Sequence, residues 1–380
     1  VRIGINAIAL LSSLTGVGQY TRSLIGELAQ HPDLDLHFFY ARSWSKKLRN
    51  SPLRNIDAWK RMVKKYVPRP YIVSRAAQQI VFSAGANWRN LDLYHDPNFL
   101  AYRFDGPTVV TVHDLSWIRY PETHPPERVS ALNELFPKSL AAADHIITDA
   151  HFVREELIRT FGVRRERITA IPLGARAAFG PRDEAQCQST LRKHGLSWRS
   201  YLLSVGTLEP RKNLELVLRA YAQLPRPVQE RFPLAIVGMR GWLTSALESL
   251  IEPLARAGRV RAIGYVDDTE LADLYACGRM LIYPSLYEGF GLPPLESMAS
   301  GTPVIVSNAS TLPEVVGDAG LMVDSCDVEG LQRSIVQLIE DDDTWNMLRL
   351  AGIERARTFS WRRCADETVA VYRKVHAESA

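Results

Sequence analysis

Short apolar runs alternate with amphipathic stretches along nearly the whole of this 380-residue chain, and no other feature constrains its fold as strongly. A strand followed by a helix returns to its sheet in the parallel sense, so the rhythm predicts βαβ units and parallel sheets covered by helices. In the first half, Ile3 to Ile8, Leu36 to Tyr40, Leu91 to His95, Thr108 to Val112 and His145 to Thr148 read as strands. The apolar spacing turns helical over Glu127 to Ala142 and Val153 to Phe161. A second set of strands comprises Tyr201 to Val205, Leu234 to Val237, Val260 to Ile263, Met280 to Tyr283 and Pro303 to Ser307. Between the sets, the polar stretch from Leu173 to Trp198 holds Gly174, Gly180, Pro181 and Gly195, as an interdomain linker would. The length exceeds what one hydrophobic core fills, so two α/β domains are expected, residues 1–175 and 176–360. Ser360 suits the N-cap of a last helix over 361–376, whose Val369, Val371, Tyr372 and Val375 need a surface to cover them.

Composition removes several classes of function. The four cysteines, Cys187, Cys277, Cys326 and Cys364, are scattered and make neither a C-x-x-C nor a Cys/His pattern, so no disulfide framework or zinc site is expected. Val1 to Asn6 reads as a strand and not as a secretory leader, and no run approaches the roughly 20 apolar residues that span a bilayer. The expectation is a cytoplasmic protein, soluble or peripheral on the inner face of the cytoplasmic membrane. The net charge of +4 is uneven: from Arg42 to Arg75 there are eleven Lys or Arg against Asp57 alone, which leaves −6 for the rest. There, Leu53, Ile56, Trp59, Met62, Val63, Tyr66 and Val67 share one side of a helical wheel, and Arg54, Arg61, Lys64 and Lys65 the other. Two readings stay open for residues 42–75: an ordinary solvated surface helix, or a face resting on anionic lipid. No RNP, helix-turn-helix or zinc-finger pattern accompanies the charge, so nucleic acid is not the expected partner.

The chemistry concentrates after strands. Tyr283 closes an apolar run, Glu288, Gly289, Phe290 and Gly291 form a turn, and Leu292, Pro293 and Pro294 open a helix that carries Glu296. Strand, glycine turn and helix N-terminus in that order suit a diphosphate. Glu288 and Glu296 would repel phosphate directly and fit better as acceptors for sugar and ribose hydroxyls. Gly206, Arg211 and Lys212 follow the first strand of the second set, where open α/β sheets bind ligands. Two adjacent cations there can neutralise a departing diphosphate, worth roughly 2 to 4 kcal/mol per donor by analogy with other preorganised sites. Gly16 and Gly18 follow the first strand and permit close backbone approach to a ligand, a pattern that dinucleotide-binding enzymes share in part. His113, with Asp114, ends the Thr108–Val112 run and is placed to hydrogen-bond a sugar hydroxyl. His95 and Asp96 end a neighbouring strand, either lining an acceptor or capping a loop.

The spacing of Glu288 and Glu296 around Gly289, Phe290, Gly291, Leu292 and Pro293 resembles the signature of glycosyltransferase family 4, retaining enzymes of the GT-B fold. The resemblance implies two Rossmann-like α/β domains with parallel sheets facing across a cleft, and a C-terminal helix crossing back to the N-terminal domain. It gives the acceptor side to residues 1–175 with 361–376, and the nucleotide-sugar donor to 176–360. It carries the phosphate-binding Lys onto Lys212; Thr207 stands where relatives often have Arg, which leaves Arg211 to fill that role. It also implies a sugar contact for His113, donor-facing glycines at Gly16 and Gly18, and base recognition near Val266, where Asp267 or Asp268 alternatively caps the next helix.

Retention without a carboxylate nucleophile implies front-side substitution, with Glu288 on the transferred sugar, Glu296 on the ribose, and Arg211 and Lys212 on the diphosphate. No Asp-x-Asp motif lies in the segments singled out, so no metal or other cofactor is expected. Residues 117–128 and Asp144 to Asp149 are similar to bacterial mannosyltransferases of lipopolysaccharide O-chain assembly. That similarity implies GDP-mannose as donor, GDP-rhamnose next, and a lipid-linked glycan as acceptor. A nucleotide-sugar 2-epimerase of related architecture and a non-catalytic nucleotide-sugar or lipid-surface binding module are the competing readings.

Overall fold

The computed structural model describes residues 1–11, 16–49, 70–239 and 245–379. The chain divides into two compact units, Val1–Leu173 together with Trp361–Ala380, and Gly174–Ser360.

Unit 1 is built on β1 (Arg2–Asn6), β2 (Asp35–Phe39), β3 (Trp44–Ser45), β4 (Leu93–Asp96), β5 (Thr108–Val112), β6 (His145–Thr148) and β7 (Ile168–Ala170). The sheet runs β3-β2-β1-β4-β5-β6-β7. All neighbours are parallel except the short edge pair β2 and β3. Every residue of β4, β5 and β6 is buried, as expected of strands covered by helices on both faces. Sequence reading missed β3 and β7, which have only two and three residues and lie at the sheet edges. The Gly16–Leu28 helix buries Tyr20, Thr21, Leu24, Ile25 and Leu28, a stripe at helical spacing. The Trp361–Ser379 helix belongs to this unit and packs on it, with Trp361 6.1 Å from Tyr20 and Val369, Val371, Tyr372 and Val375 buried.

Unit 2 carries β8 (Leu202–Val205), β9 (Leu234–Val237), β10 (Val260–Gly264), β11 (Met280–Tyr283), β12 (Val304–Ser307) and β13 (Leu321–Val323). All are parallel, in the order β10-β9-β8-β11-β12-β13, which is the doubly wound Rossmann order. β13 escaped the sequence reading: it has three residues, two of them partly open to solvent. The stretch read as a linker is in part structured. It contains the Glu184–His194 helix, opened by an Asp183 and Gln186 capping box, closed by Gly195 at φ +61°, and tied to the core through Thr190 and Asp273.

Most of the basic segment 42–75, and with it the amphipathic face from Leu53 to Val67, lies outside the described residues. Among the described residues no helix is long and apolar enough to cross a membrane.

Candidate functional site

In unit 2 the chain leaves β8 toward β9 on one side and β11 toward β12 on the other, so the carboxyl ends of β8 and β11 form the switch point where open α/β sheets bind ligands. The loop after β8 makes a short turn over Pro210–Lys212 and ends at Asn213 with φ +56°. The Asn213 amide donates to the carbonyls of Pro284 at 3.0 Å and Ser325 at 2.8 Å. The Arg211 carbonyl accepts from Leu286 N and from Ser285 Oγ, each at 2.9 Å. The loops after β8 and β11 are thereby stitched together through their backbones.

This stitching brings the expected cations onto the expected acid. Lys212 Nζ donates to Glu288 Oε1 at 2.7 Å and to the Tyr283 hydroxyl at 2.8 Å, and that hydroxyl donates to the same Oε1 at 2.8 Å. Arg211 reaches Glu288 Oε2 at 3.3 Å, the Tyr287 carbonyl at 2.5 Å and Glu209 Oε1 at 2.6 Å. Burial alone would raise the pKa of Glu288, but Lys212 and Arg211 outweigh it and bring it down to about 2. The carboxylate is therefore anionic and rigidly oriented at neutral pH. Glu209 and Tyr283 were not foreseen as members of the site, although both lie within the segments singled out.

Gly206 leaves β8 at φ +152°, and Gly238 leaves β9 at φ +151°. A Cβ on Gly238 would stand 1.8 Å from the Gly206 carbonyl oxygen, so the two strand ends pack backbone to backbone. A Cβ on Gly206 would lie 3.7 Å from the Lys212 side chain.

The Glu288 turn is braced from behind. Glu288 N donates to Ser310 Oγ at 2.8 Å, and Thr311 Oγ1 donates to the carbonyls of Glu288 and Phe290 at 3.1 and 2.8 Å. Gly291 has φ +112° and caps the Leu292–Ala299 helix. Pro293 and Pro294 remove two amides from the first turn, and Leu295 N is taken by the Gly291 carbonyl. What remains is the run Gly289, Phe290, Gly291 and Leu292, whose N–H groups have no hydrogen-bond partner among the described residues. The Phe290 ring itself packs against Phe359, so this residue can offer a ligand only its backbone. Glu296 is buried one turn into the helix, where Arg176 Nε and NH2 both donate to its Oε1, at 3.0 and 2.9 Å. Arg176 escaped the sequence reading because it lies in the supposed linker. Val266 is half-buried after β10; Asp267 caps the Asp268–Cys277 helix through Glu270 N, and Asp268 pairs with Arg176.

The expected residues of unit 1 lie at the ends of its central strands. His113 Nε2 donates to the Pro97 carbonyl at 2.8 Å, and Nδ1 stands 2.7 Å from Asp149 Oδ2. A carbonyl can only accept, so Nε2 carries a proton, while Nδ1 and Asp149 share one within a buried pair. Burial opposes the charge, but Asp149 more than offsets it and raises the His113 pKa. Both ring nitrogens are thus committed inside the fold, where the sequence suggested one left for a sugar. His95 does not line a surface: it is fully buried, with Nδ1 2.6 Å from the Tyr372 hydroxyl and Nε2 2.8 Å from Thr111 Oγ1. Burial lowers its pKa to about 3, which keeps it neutral. Asp96 is equally buried and accepts from Tyr94, Asn6 and the Asn98 amide. Gly16 and Gly18, expected to follow the first strand, form the first turn of the Gly16–Leu28 helix. Among the described residues no group of three or more His, Cys, Asp or Glu could hold a metal ion.

The family described as "Glycosyltransferase Family 4" matches residues 14–178, and that described as "Glycosyl transferases group 1" matches residues 190–357. O-antigen chain mannosyltransferase B of Escherichia coli is 37% identical over 369 residues, spanning 95% of this chain and 96% of that protein. Sucrose-phosphate synthase of Thermosynechococcus elongatus superposes with a TM-score of 0.79 at 23% identity, over 100% of both chains. HepE of Anabaena, in complex with UDP and glucose, gives 0.74 at 16% identity, over 98% of this chain and 99% of that one. The two structural likenesses show the fold, GT-B. With both halves matched by glycosyltransferase families and a mannosyltransferase related to it along nearly its full length, the chain is a glycosyltransferase and belongs to glycosyltransferase family 4.

Proposed function

We propose that the protein transfers a mannosyl group from GDP-mannose, with retention of anomeric configuration and without a metal ion, to a lipid-linked glycan acceptor in O-chain or related polysaccharide synthesis. The choice of mannose and of an O-chain acceptor is supported by the relationship to O-antigen chain mannosyltransferase B. The observation that carries the reaction class is the unpaired amide run Gly289 to Leu292, in the same turn whose carboxylate Lys212 and Arg211 grip. A buried row of amides beside two cations suits a diphosphate leaving group.

In this reading the diphosphate takes the amides together with Lys212 and Arg211, Gly206 gives it room, Glu288 accepts from hydroxyls of the transferred sugar, Glu296 accepts from the ribose, and Val266 lies against the base. The bond between the anomeric carbon and the diphosphate oxygen breaks as the acceptor oxygen bonds to the same face. The acceptor's proton passes to the departing phosphate. Unit 1 supplies the acceptor side, and residues 42–75 rest on anionic lipid on the inner face of the cytoplasmic membrane.

The test is incubation of the purified protein, with and without chelator, with GDP-mannose, GDP-rhamnose or UDP-glucose and a polyprenyl-diphosphate-linked glycan. The expected result is a glycan lengthened by one α-linked mannose from GDP-mannose. A β-linkage overturns retention, and a chelator-sensitive rate overturns the metal-free reading. Isomerised donor without lengthened glycan replaces the proposal with an epimerase, and binding without any product with a binding module.

A further inference from the structure

Glu296 is held in an unusual way. A guanidinium facing a carboxylate ordinarily takes both oxygens in a parallel fork. Here Nε and NH2 of Arg176 converge on Oε1 alone, at 3.0 and 2.9 Å, so Oε2 takes nothing from the guanidinium, and the Tyr275 hydroxyl is the other donor beside this carboxylate. The guanidinium is fixed on its other sides. NH1 lies 2.6 Å from Asp268 Oδ1, and its carbon sits 4.5 Å from the centre of the Phe179 ring. Neither partner is a surface group, since the side chains of Arg176 and Glu296 are 12% and 6% exposed. Burial pushes the Glu296 carboxyl up to about 7 even with Arg176 opposing the shift. Asp268 also opposes ionisation of Glu296. Without the guanidinium the group would be a neutral acid, a poorer acceptor.

Resting on the reading of Glu296 as the ribose acceptor, we propose that Arg176 is the positioning residue for the nucleoside end of the donor site: it fixes Glu296 through one oxygen and presents the other to the vicinal ribose hydroxyls of a nucleoside diphosphate. One carboxylate oxygen has two lone pairs, enough for a 2′- and a 3′-hydroxyl. Asp268, two residues beyond Val266, ties the same guanidinium to the segment assigned to the base. The base and ribose ends of the donor site therefore share one cationic anchor.

The experiment measures binding of GDP, UDP and ADP, each beside its 2′-deoxy counterpart, by calorimetry on the wild type and on Arg176→Gln, Arg176→Lys and Asp268→Asn. Losing one charge-assisted hydrogen bond should weaken the best-bound nucleotide about tenfold in the wild type. In Arg176→Gln the ratio of ribo to deoxy affinity should fall toward one, through weaker binding of the ribonucleotide. Arg176→Lys should restore part of the ratio, and Asp268→Asn should lower it while leaving a folded protein, as checked by thermal unfolding. A wild-type protein that binds ribo and deoxy forms equally overturns the reading of Glu296, and the proposal with it. Full discrimination in the wild type that persists in Arg176→Gln and Asp268→Asn overturns the role of Arg176 alone. Equal weakening of both nucleotides assigns Arg176 a structural role and overturns it as well.

Discussion

Lys212 Nζ and the Tyr283 hydroxyl both bond to Glu288 Oε1, and to each other, in a closed triangle with sides of 2.7, 2.8 and 2.8 Å. The ammonium has three hydrogens, so one remains for a ligand. Lys212→Ala removes that donor and the strongest opposing charge on Glu288. The rate at saturating donor should fall roughly 100- to 1,000-fold, equivalent to about 2.7 to 4 kcal/mol. Initial-rate measurements check this, and a loss below about fivefold would mean that Lys212 does not touch the leaving group.

Glu288 should leave a signature in stability. Its pKa is lower folded, about 2, than the ordinary 4.5, so its contribution is complete above pH 4.5 and is lost as pH falls toward 2. The full shift corresponds to roughly 3 kcal/mol. In urea unfolding, the stability gap between wild type and Glu288→Gln should narrow by roughly 2 kcal/mol between pH 5 and pH 3. A gap that does not change with pH would show that Lys212 and Arg211 do not hold the carboxylate in solution as they do here.

Much of this site was legible in the sequence for a physical reason. Strand, glycine turn and helix follow one another locally between Tyr283 and Glu296, and Gly206 to Lys212 repeats the logic after β8. Such short-range order survives in a linear reading. The contacts that were missed depend on chain segments far apart: Arg176 reaches Glu296 across 120 residues, and Asp149 reaches His113 across 36. His113 was expected to offer a nitrogen because its strand ends there, and only the fold reveals that Pro97 and Asp149 take both. The strands missed, β3, β7 and β13, are two or three residues long and too brief to show a period.

The C-terminal helix is fastened to the sheet by a polar bond as well as by its apolar stripe. Tyr372→Phe keeps the ring but leaves buried His95 Nδ1 without its partner. The cost should be about 1 to 3 kcal/mol, seen as a lower unfolding midpoint of unit 1 in denaturant. An unchanged midpoint would show that the bond contributes nothing net.

Gly238→Ala should be among the most damaging small substitutions in unit 2. The new methyl would meet the Gly206 carbonyl at 1.8 Å, on a backbone at φ +151° that L side chains rarely adopt. A loss of more than about 4 kcal/mol is expected, together with loss of nucleotide binding as the β8 end shifts. Thermal unfolding and calorimetry report the two separately. Wild-type stability would mean that the strand ends separate freely.

In the cluster at the end of β8, the positive charges of Arg211 and Lys212 are cancelled by Glu209 and Glu288. An electrically balanced patch casts little field beyond its own rim, so it does not draw an anionic metabolite in from a distance. Capture then depends on fit at close range, and the association rate should vary little with added salt.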